Sequence, residues 1–224
     1  MRAHVALTAC AMTAVAAVAV AGCGGGGSKG SATISPAAEP STTAAPNSPT
    51  PSATQAGAPL KLDPAVALPA DVKVVFDWAM PSDVTRNAAL TAVANYLQAV
   101  DHAVVKQNVQ DPPLHAYAAG DALAHGKDFV RSNVTGKVTL SGTDRYFDPA
   151  FGKGGGRSSL GITLCEDQSK LYSKDIATGK VHVTGDDPRN YVSYSVVVVK
   201  IPAAHPYWQV QGLTAKEGAP QCRQ

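Results

Sequence analysis

Two adjacent side chains, Asp101 and His102, are the strongest candidates for acid–base chemistry in the sequence. A carboxylate or an imidazole that faces a bound molecule can remove or supply a proton. Both residues fall on a predicted helix, where neighbouring side chains point about 100° apart, so the two cannot face the same cavity. We therefore expect His102 to be solvated near Lys106, and the pair does not by itself predict a catalytic site.

Aromatic residues supply a second candidate, because a group of them could line a pocket for a small molecule together with Asp101. Aromatic residues are also expected in the core of any α+β domain, and this simpler interpretation is preferred. The candidate pocket consists of Tyr96, Asp101, Tyr117, Tyr146 and Trp208.

The remaining patterns that carry chemistry are incomplete. The run Gly152–Arg157 is rich in glycine, but it lacks the Gly-Lys-Ser/Thr ending and the following helix of a phosphate loop, so it predicts a hairpin loop. Four histidines occur singly, without the close spacing of metal ligands, and are interpreted as surface or loop residues. They are His115, His125, His182 and His205. No serine lies in a Gly-x-Ser-x-Gly elbow, and the sequence predicts no catalytic residue, metal site or cofactor.

The first residues of the chain have the pattern of a targeting segment. Val5–Val20 is apolar and uncharged over 16 residues. This is short of the roughly 20 residues that a transmembrane helix needs, and it fits a secretory signal peptide. The run ends in Val20-Ala21-Gly22-Cys23, which resembles the lipobox of bacterial lipoproteins. The resemblance implies a signal peptide over residues 1–22 and a lipid on Cys23, whereas the alternative is a plain secretory signal with a chance cysteine.

A lipid on Cys23 predicts a protein anchored to the cell membrane on its extracytoplasmic face. Residues 23–59 consist almost entirely of Gly, Ser, Thr, Ala and Pro, so they cannot bury enough apolar surface to fold. A flexible chain of that length spans roughly 30–35 Å. The sequence therefore predicts a disordered tether between the membrane and the rest of the chain.

Residues 60–224 are long enough for one domain. They contain 17 of the 19 Lys and Arg residues and 16 of the 17 Asp and Glu residues, because only Arg2, Lys29 and Glu39 precede them. This near-neutral balance, without a basic cluster, argues against nucleic acid as a partner.

Cys165 and Cys222 remain once Cys10 leaves with the signal peptide and Cys23 carries the lipid. An even pair of cysteines in an oxidising compartment predicts a disulfide bond. A two-cysteine metal site is the competing interpretation, but neither cysteine has a paired ligand in a Cys-x-x-Cys motif or a nearby histidine.

Helices precede most of the strands in the predicted domain. A strand at Val72–Trp78 leads to a cap at Pro81-Ser82-Asp83 and a helix that follows to about Gln107, whose apolar residues recur at steps of three and four. A helical turn at Leu114–Tyr117 and a helix over Asp121–Asn133 follow. Strands are predicted over 137–147, 158–165, 170–174, 180–183, 190–201 and 207–213. The valines of the strand over 190–201 are apolar on both faces, so it should be central, and the whole order indicates an α+β fold with antiparallel strands.

Several motifs between residues 70 and 224 carry a family resemblance. They are the Leu97–Val105 helix running into Asp111-Pro112, Gly142–Tyr146, Cys165-Glu166-Asp167, Leu171-Tyr172, Ala177-Thr178-Gly179, Trp208 and Cys222. Through them the chain resembles secreted lipoproteins of high-GC Gram-positive bacteria with an NTF2-like (cystatin-like) domain. The resemblance implies N-terminal helices packed on a curved antiparallel sheet, with a pocket between them. Isomerases, dehydratases and plain binding modules share this fold, so it does not select a function.

The sequence favours a non-catalytic module that binds a small apolar ligand or a membrane or cell-envelope protein, because no acid–base constellation follows from the spacing. The alternative is an enzyme of the isomerase or dehydratase type, which needs a buried Asp or His opposite a Tyr in one cavity. If Asp101 or His102 lay in a closed pocket beside Tyr96, Tyr117 or Tyr146, the enzyme would become the preferred interpretation.

Overall fold

The computed structural model describes residues 57–152 and 158–224. The predicted signal peptide, Cys23, nearly all of the tether and residues 153–157 of the glycine-rich loop lie outside the described residues. The helices and strands of the described domain are β1 (Val72–Asp77), α1 (Val84–Val105), α2 (Pro112–Tyr117), α3 (Gly120–Gly136), β2 (Val138–Phe151), β3 (Ser159–Asp175), β4 (Val181–His182), β5 (Tyr191–Ile201) and β6 (Tyr207–Glu217).

The strands of the described domain form one six-stranded sheet in the order β1–β2–β3–β5–β6, with the short β4 beside β3. β1 pairs with β2 in parallel, and the other pairings are antiparallel. α1 and α3 pack against the sheet, chiefly on β6. The predicted α+β class is thus confirmed, with one parallel pair that the sequence did not indicate.

α1 is the central helix and is buried on most of its sides. Asp83 caps its N-terminus by accepting a hydrogen bond from the backbone N–H of Arg86 at 2.8 Å. The segment before β1 is bound to the helix, since the Gln98 side chain donates to the Val66 carbonyl at 2.9 Å. A helix enclosed in this way holds each of its side chains, including Asp101, in a fixed position.

The sequence predicted that His102 lies in solvent near Lys106, and this prediction is wrong. Its side chain is buried, with 7% of the residue exposed, and its Nδ1 lies 2.9 Å from Oδ2 of the buried Asp111. Asp111 directly precedes α2, which packs against α1 and covers this side of the helix. A buried polar group needs a partner, and here the partner comes from a different helix. The pattern along α1 alone therefore could not reveal it.

β3 is one long strand where the sequence predicted two. It runs over Ser159–Asp175, and it has one residue more than β2 in the stretch that pairs with Thr143 and Arg145. Such a bulge breaks the regular alternation of side chains after Asp167. The sequence pattern ended the strand at Cys165 because a polar run, Glu166–Lys170, begins there. In the structure the strand continues, and Glu166 lies on its inner face.

β5 lies between β3 and β6, the interior position that its valine content predicted. Val196 and Val198 are buried, whereas Val197 between them is 45% exposed. The two faces of this strand are therefore unequal: one packs in the core and the other is partly open to solvent. The apolar pattern on both faces predicted the strand's place in the sheet correctly but not this difference in burial.

The predicted disulfide bond between Cys165 and Cys222 is confirmed, with the two Cα atoms 5.3 Å apart. It joins β3 to the C-terminal 3-10 turn Pro220–Cys222. The buried cluster around the bond consists of Phe147, Cys165, Tyr191, Ala219 and Cys222. Because neighbours on a strand point to opposite faces, this cluster and the side chain of Glu166 lie on opposite sides of the sheet.

We expect the double variant Cys165→Ser with Cys222→Ser to have a free energy of unfolding about 2 to 4 kcal/mol lower than the wild type. The bond joins residues that are 57 positions apart, so its loss frees the unfolded chain from a long closed loop. Urea denaturation of both proteins measures the difference. Reduced wild-type protein is the control and should match the double variant, and equal midpoints for oxidised and reduced wild type would contradict the prediction.

Candidate functional site

A cavity of about 250 Å³ lies between the helices and the sheet. α1 and α3 form one wall, and β2, β3, β5 and β6 form the other. The volume is slightly below the range of about 300–1,000 Å³ that is typical of ligand pockets, so the cavity suits a small molecule. His125, Asp128 and Phe129 of α3 line it and are exposed, so it opens to solvent beside this helix.

Four residues of α1 face the cavity, namely Tyr96 and Leu97 and, one turn later, Val100 and Asp101. Residues three and four apart lie on the same side of a helix, which explains this grouping. Asp101 stands one turn after Leu97, at a position where an apolar side chain would complete the core. His102 points away from the cavity, as the angle between helical neighbours requires.

The strands line the cavity with residues two apart, because alternate side chains share one face of a sheet. β2 contributes Asp144 and Tyr146, and β3 contributes Glu166. Tyr146 pairs with Glu166, and Glu166 pairs with Val192 of β5, so these three residues form a row across the sheet. Tyr194 lines the same wall two residues further along β5.

Three carboxyl groups are thereby enclosed in one cavity. Asp101, Asp144 and Glu166 are only 3%, 1% and 5% exposed. Oδ2 of Asp101 and both carboxyl oxygens of Asp144 have no hydrogen-bond partner in the described part of the chain. An unpartnered buried polar group destabilises a folded protein by about 1–3 kcal/mol, so it needs a specific explanation. A ligand that supplies the missing partners is such an explanation.

Glu166 has more polar neighbours than the other two carboxyls. The Tyr194 hydroxyl donates a hydrogen bond to its Oε2 at 3.1 Å. The Tyr146 hydroxyl and the Asp144 carboxyl also interact with Glu166 and lower its pKa, although neither oxygen of Asp144 makes a regular hydrogen bond within the described residues. Groups that donate to a carboxylate favour its ionised form, so Glu166 is the carboxyl best suited to hold a charge.

Burial raises the pKa of all three carboxyls, but not equally. Burial, and then the charge of Glu166, raise the pKa of Asp101 to about 8. Burial, and then the charges of Glu166 and Asp101, raise the pKa of Asp144 well above its usual range. Burial also raises the pKa of Glu166, while its interactions with Tyr146 and Asp144 and the hydrogen bond from Tyr194 oppose that shift. Glu166 therefore ionises first as the pH rises, and its charge helps to retain the protons of the two aspartates.

Because of this order of ionisation, a base and an acid line the same cavity. Between the two pKa values, Glu166 can accept a proton and Asp101 can donate one. Burial raises the pKa of both Tyr146 and Tyr194 well above the usual value, so their hydroxyls stay neutral and act as hydrogen-bond donors. The cavity is thus equipped to move protons on a bound molecule.

Three residues of the sequence-predicted pocket come together in the cavity. These are Tyr96, Asp101 and Tyr146. The Tyr96 hydroxyl donates to the backbone carbonyl of Ala122 at 2.8 Å, so it joins α1 to α3 and its own hydrogen is already used. Asp101 and Tyr146 are therefore the predicted residues whose polar groups bear on a ligand.

Tyr117 and Trp208, the other two predicted pocket residues, lie outside the cavity. Tyr117 of α2 donates its hydroxyl to the carboxylate of Asp63 at 2.5 Å, which ties the segment before β1 to the helices. Trp208 of β6 is buried in the main hydrophobic core. Both side chains thus stabilise the domain rather than line the cavity.

Asp144, Glu166 and Tyr194 are site residues that the sequence reasoning missed. Glu166 carried a usable signal, because it follows Ile162 and Leu164 at intervals of two and continues their apolar strand face. A carboxyl on such a face is predicted to be buried. The polar run Glu166–Lys170 hid this signal, because it ended the predicted strand at Cys165, one residue too early.

The four scattered histidines do not come together. His125 lies at the mouth of the cavity and His205 lies in the loop between β5 and β6, and both are exposed, whereas His115 and His182 are half-buried. Within residues 57–152 and 158–224, no group of three or more His, Cys, Asp or Glu side chains could hold a metal ion. In the same two ranges, no helix is long and apolar enough to cross a membrane.

The cavity, with its buried carboxyls and tyrosines, is the feature of this chain from which a function can be argued. No family model, no curated protein and no solved structure matches the chain. A function therefore has to follow from the geometry and the electrostatics of the cavity itself.

Proposed function

We propose that the protein is a lipid-anchored, extracytoplasmic enzyme of the isomerase or dehydratase type, which moves a proton on a small, largely apolar molecule. The observation that carries the proposal is the buried Asp101, which lines the same pocket as Tyr96 and Tyr146. The sequence favours a non-catalytic module and requires a closed pocket to reverse that order. This pocket opens to solvent beside α3, and the burial of Asp101 in one pocket with the two tyrosines is the feature that favours an enzyme.

In this proposal Glu166 is the general base and Asp101 is the general acid. On a substrate with a carbonyl group, ionised Glu166 takes a proton from the neighbouring carbon while Asp101 gives its proton to the carbonyl oxygen, which forms an enol. Return of a proton to a different carbon isomerises the molecule. Loss of a suitably placed hydroxyl group as water dehydrates it.

Hydrogen–deuterium exchange on a panel of compounds tests this proposal and does not require the natural substrate. The otherwise full-length Cys23→Ala protein, which carries no lipid, is incubated in D₂O with a panel of small ketones and amino ketones. The loss of the C–H signal next to the carbonyl is followed by NMR. We expect exchange about 100-fold faster with this protein than with its Asp101→Asn derivative. Equal rates for the two proteins, or no exchange with any compound, would contradict a catalytic role.

A non-catalytic binding module is the second candidate, and the apolar part of the cavity wall favours it. This part consists of Leu97, Val100, Phe129, Leu171, Val192, Leu213 and Ala215. Such a wall can hold a small apolar ligand through burial of its surface alone. Native mass spectrometry that detects a co-purified ligand or cell-envelope protein, together with an absence of exchange activity, would support this candidate.

The proposed membrane location rests on the lipobox resemblance of residues 20–23, which lie outside the described structure. We expect Cys23→Ala to move the protein from the membrane fraction to the medium, because acyl chains on Cys23 supply the anchor. Cell fractionation followed by immunoblotting measures this. Cys10→Ala is the matched control, since it keeps the signal peptide apolar and should leave the protein in the membrane. Retention of the Cys23→Ala protein in the membrane fraction would contradict lipid anchoring at this residue.

The finer fold that we propose is an NTF2-like domain on a tether of residues 23–59. Its support is the order of elements, with the three helices between β1 and the other strands, and the packing of α1 and α3 on a mostly antiparallel sheet. The pocket between these helices and the sheet agrees with this proposal. A crystal structure of the domain that lacked a curved sheet would contradict it.

A further inference from the structure

We propose that the pocket recognises an organic cation, namely a protonated amine carried on a small apolar body. The inference rests on the proposed use of this pocket for a small molecule and adds the charge of that molecule. Its basis is the distribution of charged and unpaired polar groups around the cavity.

The charged residues that line the cavity are predominantly acidic. They are Asp101, Asp128, Asp144, Glu166 and Glu217. Among the described residues no Lys or Arg lines the cavity, and His125 at the mouth supplies the imidazole. Asp128 is paired with Arg131 at the surface. Because Asp101 and Asp144 retain their protons while Glu166 is ionised, Glu166 and Glu217 determine the charge that a ligand meets. A cluster of this kind favours a ligand of opposite charge.

Unpartnered carboxyl oxygens in the cavity can accept hydrogen bonds from a ligand. Oδ2 of Asp101 and both carboxyl oxygens of Asp144 have no partner in the described part of the chain. An ammonium group has three N–H donors for the carbonyl oxygens of these acids, and its charge is opposite to that of ionised Glu166 in the same cavity. A carboxylate ligand would instead add a further negative charge beside Glu166, which like-charge repulsion opposes.

Tyrosine rings add to the preference for a cation. Tyr96, Tyr146 and Tyr194 line the cavity, and the ring centroids of Tyr146 and Tyr194 are 6.4 Å apart. The face of an aromatic ring attracts a cation by about 0.5–2 kcal/mol. A metal ion is a poorer candidate than an amine, because the carboxyls of the described residues form no group that could hold one.

Isothermal titration calorimetry with three probes of one shape tests the inference. The probes are 3-phenylpropylamine, 3-phenylpropan-1-ol and 3-phenylpropanoate, which differ in charge and share an apolar body. The protein is the otherwise full-length Cys23→Ala chain, which needs no detergent. A single favourable charge interaction of about 1.4 kcal/mol changes Kd tenfold, so we expect the amine to bind at least about tenfold more tightly than the alcohol. The carboxylate should bind least tightly of the three.

Two variants separate a charge effect from a general effect on the pocket. Glu166→Gln, which removes the charged carboxyl, should weaken binding of the amine by about tenfold and leave binding of the alcohol nearly unchanged. Asp148→Asn, which alters an exposed carboxyl outside the cavity, should bind all three probes as the unsubstituted protein does. The inference is overturned if the alcohol binds as tightly as the amine, if Glu166→Gln binds the amine unchanged, or if the amine does not bind.

The two proposals fail in different experiments. Tight binding of the alcohol with normal deuterium exchange would overturn the cation inference and keep the proton-transfer function. Selective binding of the amine without any exchange would keep the cation inference and overturn the enzyme.

Discussion

Glu166→Gln is expected to lose about 10²–10⁴-fold of the deuterium-exchange rate, the range found for removal of a general base. Glutamine has the shape of glutamate, but it cannot accept a proton from the substrate. The Tyr194 hydroxyl, which lies 3.1 Å from Oε2 of Glu166, can donate to the glutamine carbonyl instead. The variant should therefore keep its fold, and circular dichroism together with NMR exchange rates separates a lost base from a lost structure.

The pH dependence of the unsubstituted protein follows from the same roles. The rate rises with pH as Glu166 ionises, and burial places this step above the ordinary glutamate pKa of 4.5. The rate falls again as Asp101 loses its proton, at a pKa of about 8. A bell-shaped profile with an alkaline limb near pH 8 is expected. The residual activity of Asp101→Asn should lack that alkaline limb.

Asp167→Asn is the matched control for Glu166→Gln. Asp167 is the next residue of β3, so its side chain lies on the opposite face of the sheet. Its Oδ1 accepts a hydrogen bond from the backbone N–H of Ser169 at 2.9 Å, and an asparagine oxygen can accept the same bond. Because the charge of Asp167 raises the pKa of Glu166, the rates are compared at the plateau of the pH profile, where we expect them to agree within about twofold. A Glu166→Gln variant that is as active as this control would show that Glu166 is not the base.

Asp101→Asn is expected to raise the free energy of unfolding by about 3 to 5 kcal/mol at pH 8, while it lowers activity. In the folded protein burial raises the pKa of Asp101 from 3.8 to about 8. Between these pH values the folded chain holds a proton that the unfolded chain releases. The stability of the wild type therefore falls as the pH rises from about 4 to 8, and asparagine, which does not titrate, removes this loss.

Thermal unfolding at several pH values measures the effect. At pH 8 the variant should melt roughly 6–15 °C higher than the wild type, and near pH 3 the difference should vanish because both forms of residue 101 are then neutral. Asp148→Asn is the control, since this carboxyl is exposed, and its melting temperature should follow that of the wild type. A variant that melts below the wild type at pH 8, or equally above it at all pH values, would contradict the burial of a protonated Asp101.

A gain in stability together with a loss of activity in Asp101→Asn would identify a functional site. A residue retained only for packing would lose stability when it is replaced, whereas a carboxyl buried for chemistry destabilises its own fold. Asp101 is expected to belong to the second kind because its Oδ2 is buried without a partner.

Much of the fold followed from local patterns. The steps of three and four in Pro81–Gln107 predicted α1, and the valines of Asn190–Ile201 predicted an interior strand, because these signals depend on neighbours along the chain. The pairing of Cys165 with Cys222 followed from the lack of other cysteines in the predicted domain. The parallel pairing of β1 with β2 did not follow from the sequence, since no feature of either strand specifies the direction of its partner.

The site depended on contacts between distant segments. Asp101 stood out in the sequence as an acid on a helix, and Tyr146 as an aromatic residue on a strand, but neither pattern indicates which strand faces which helix. Regular pairing of β3 with β2 through Glu166 and Asp167 places Glu166 on the inner face of the sheet, and the bulge opposite Asp144 follows these residues. His102 shows the same limit, because its buried partner Asp111 comes from the start of a second helix.

The residue types along the chain therefore specify an α+β domain, a disulfide pair and a helix that carries a carboxyl, since each depends on local periodicity or on simple counting. The enclosure of Asp101, Asp144 and Glu166 in one cavity arises when α1 packs across the sheet. Burial and mutual repulsion of the three carboxyls then shift their pKa values, and these are properties of the packed structure rather than of any single segment. This is why the acid–base site emerges from the folded domain and not from the spacing of its residues.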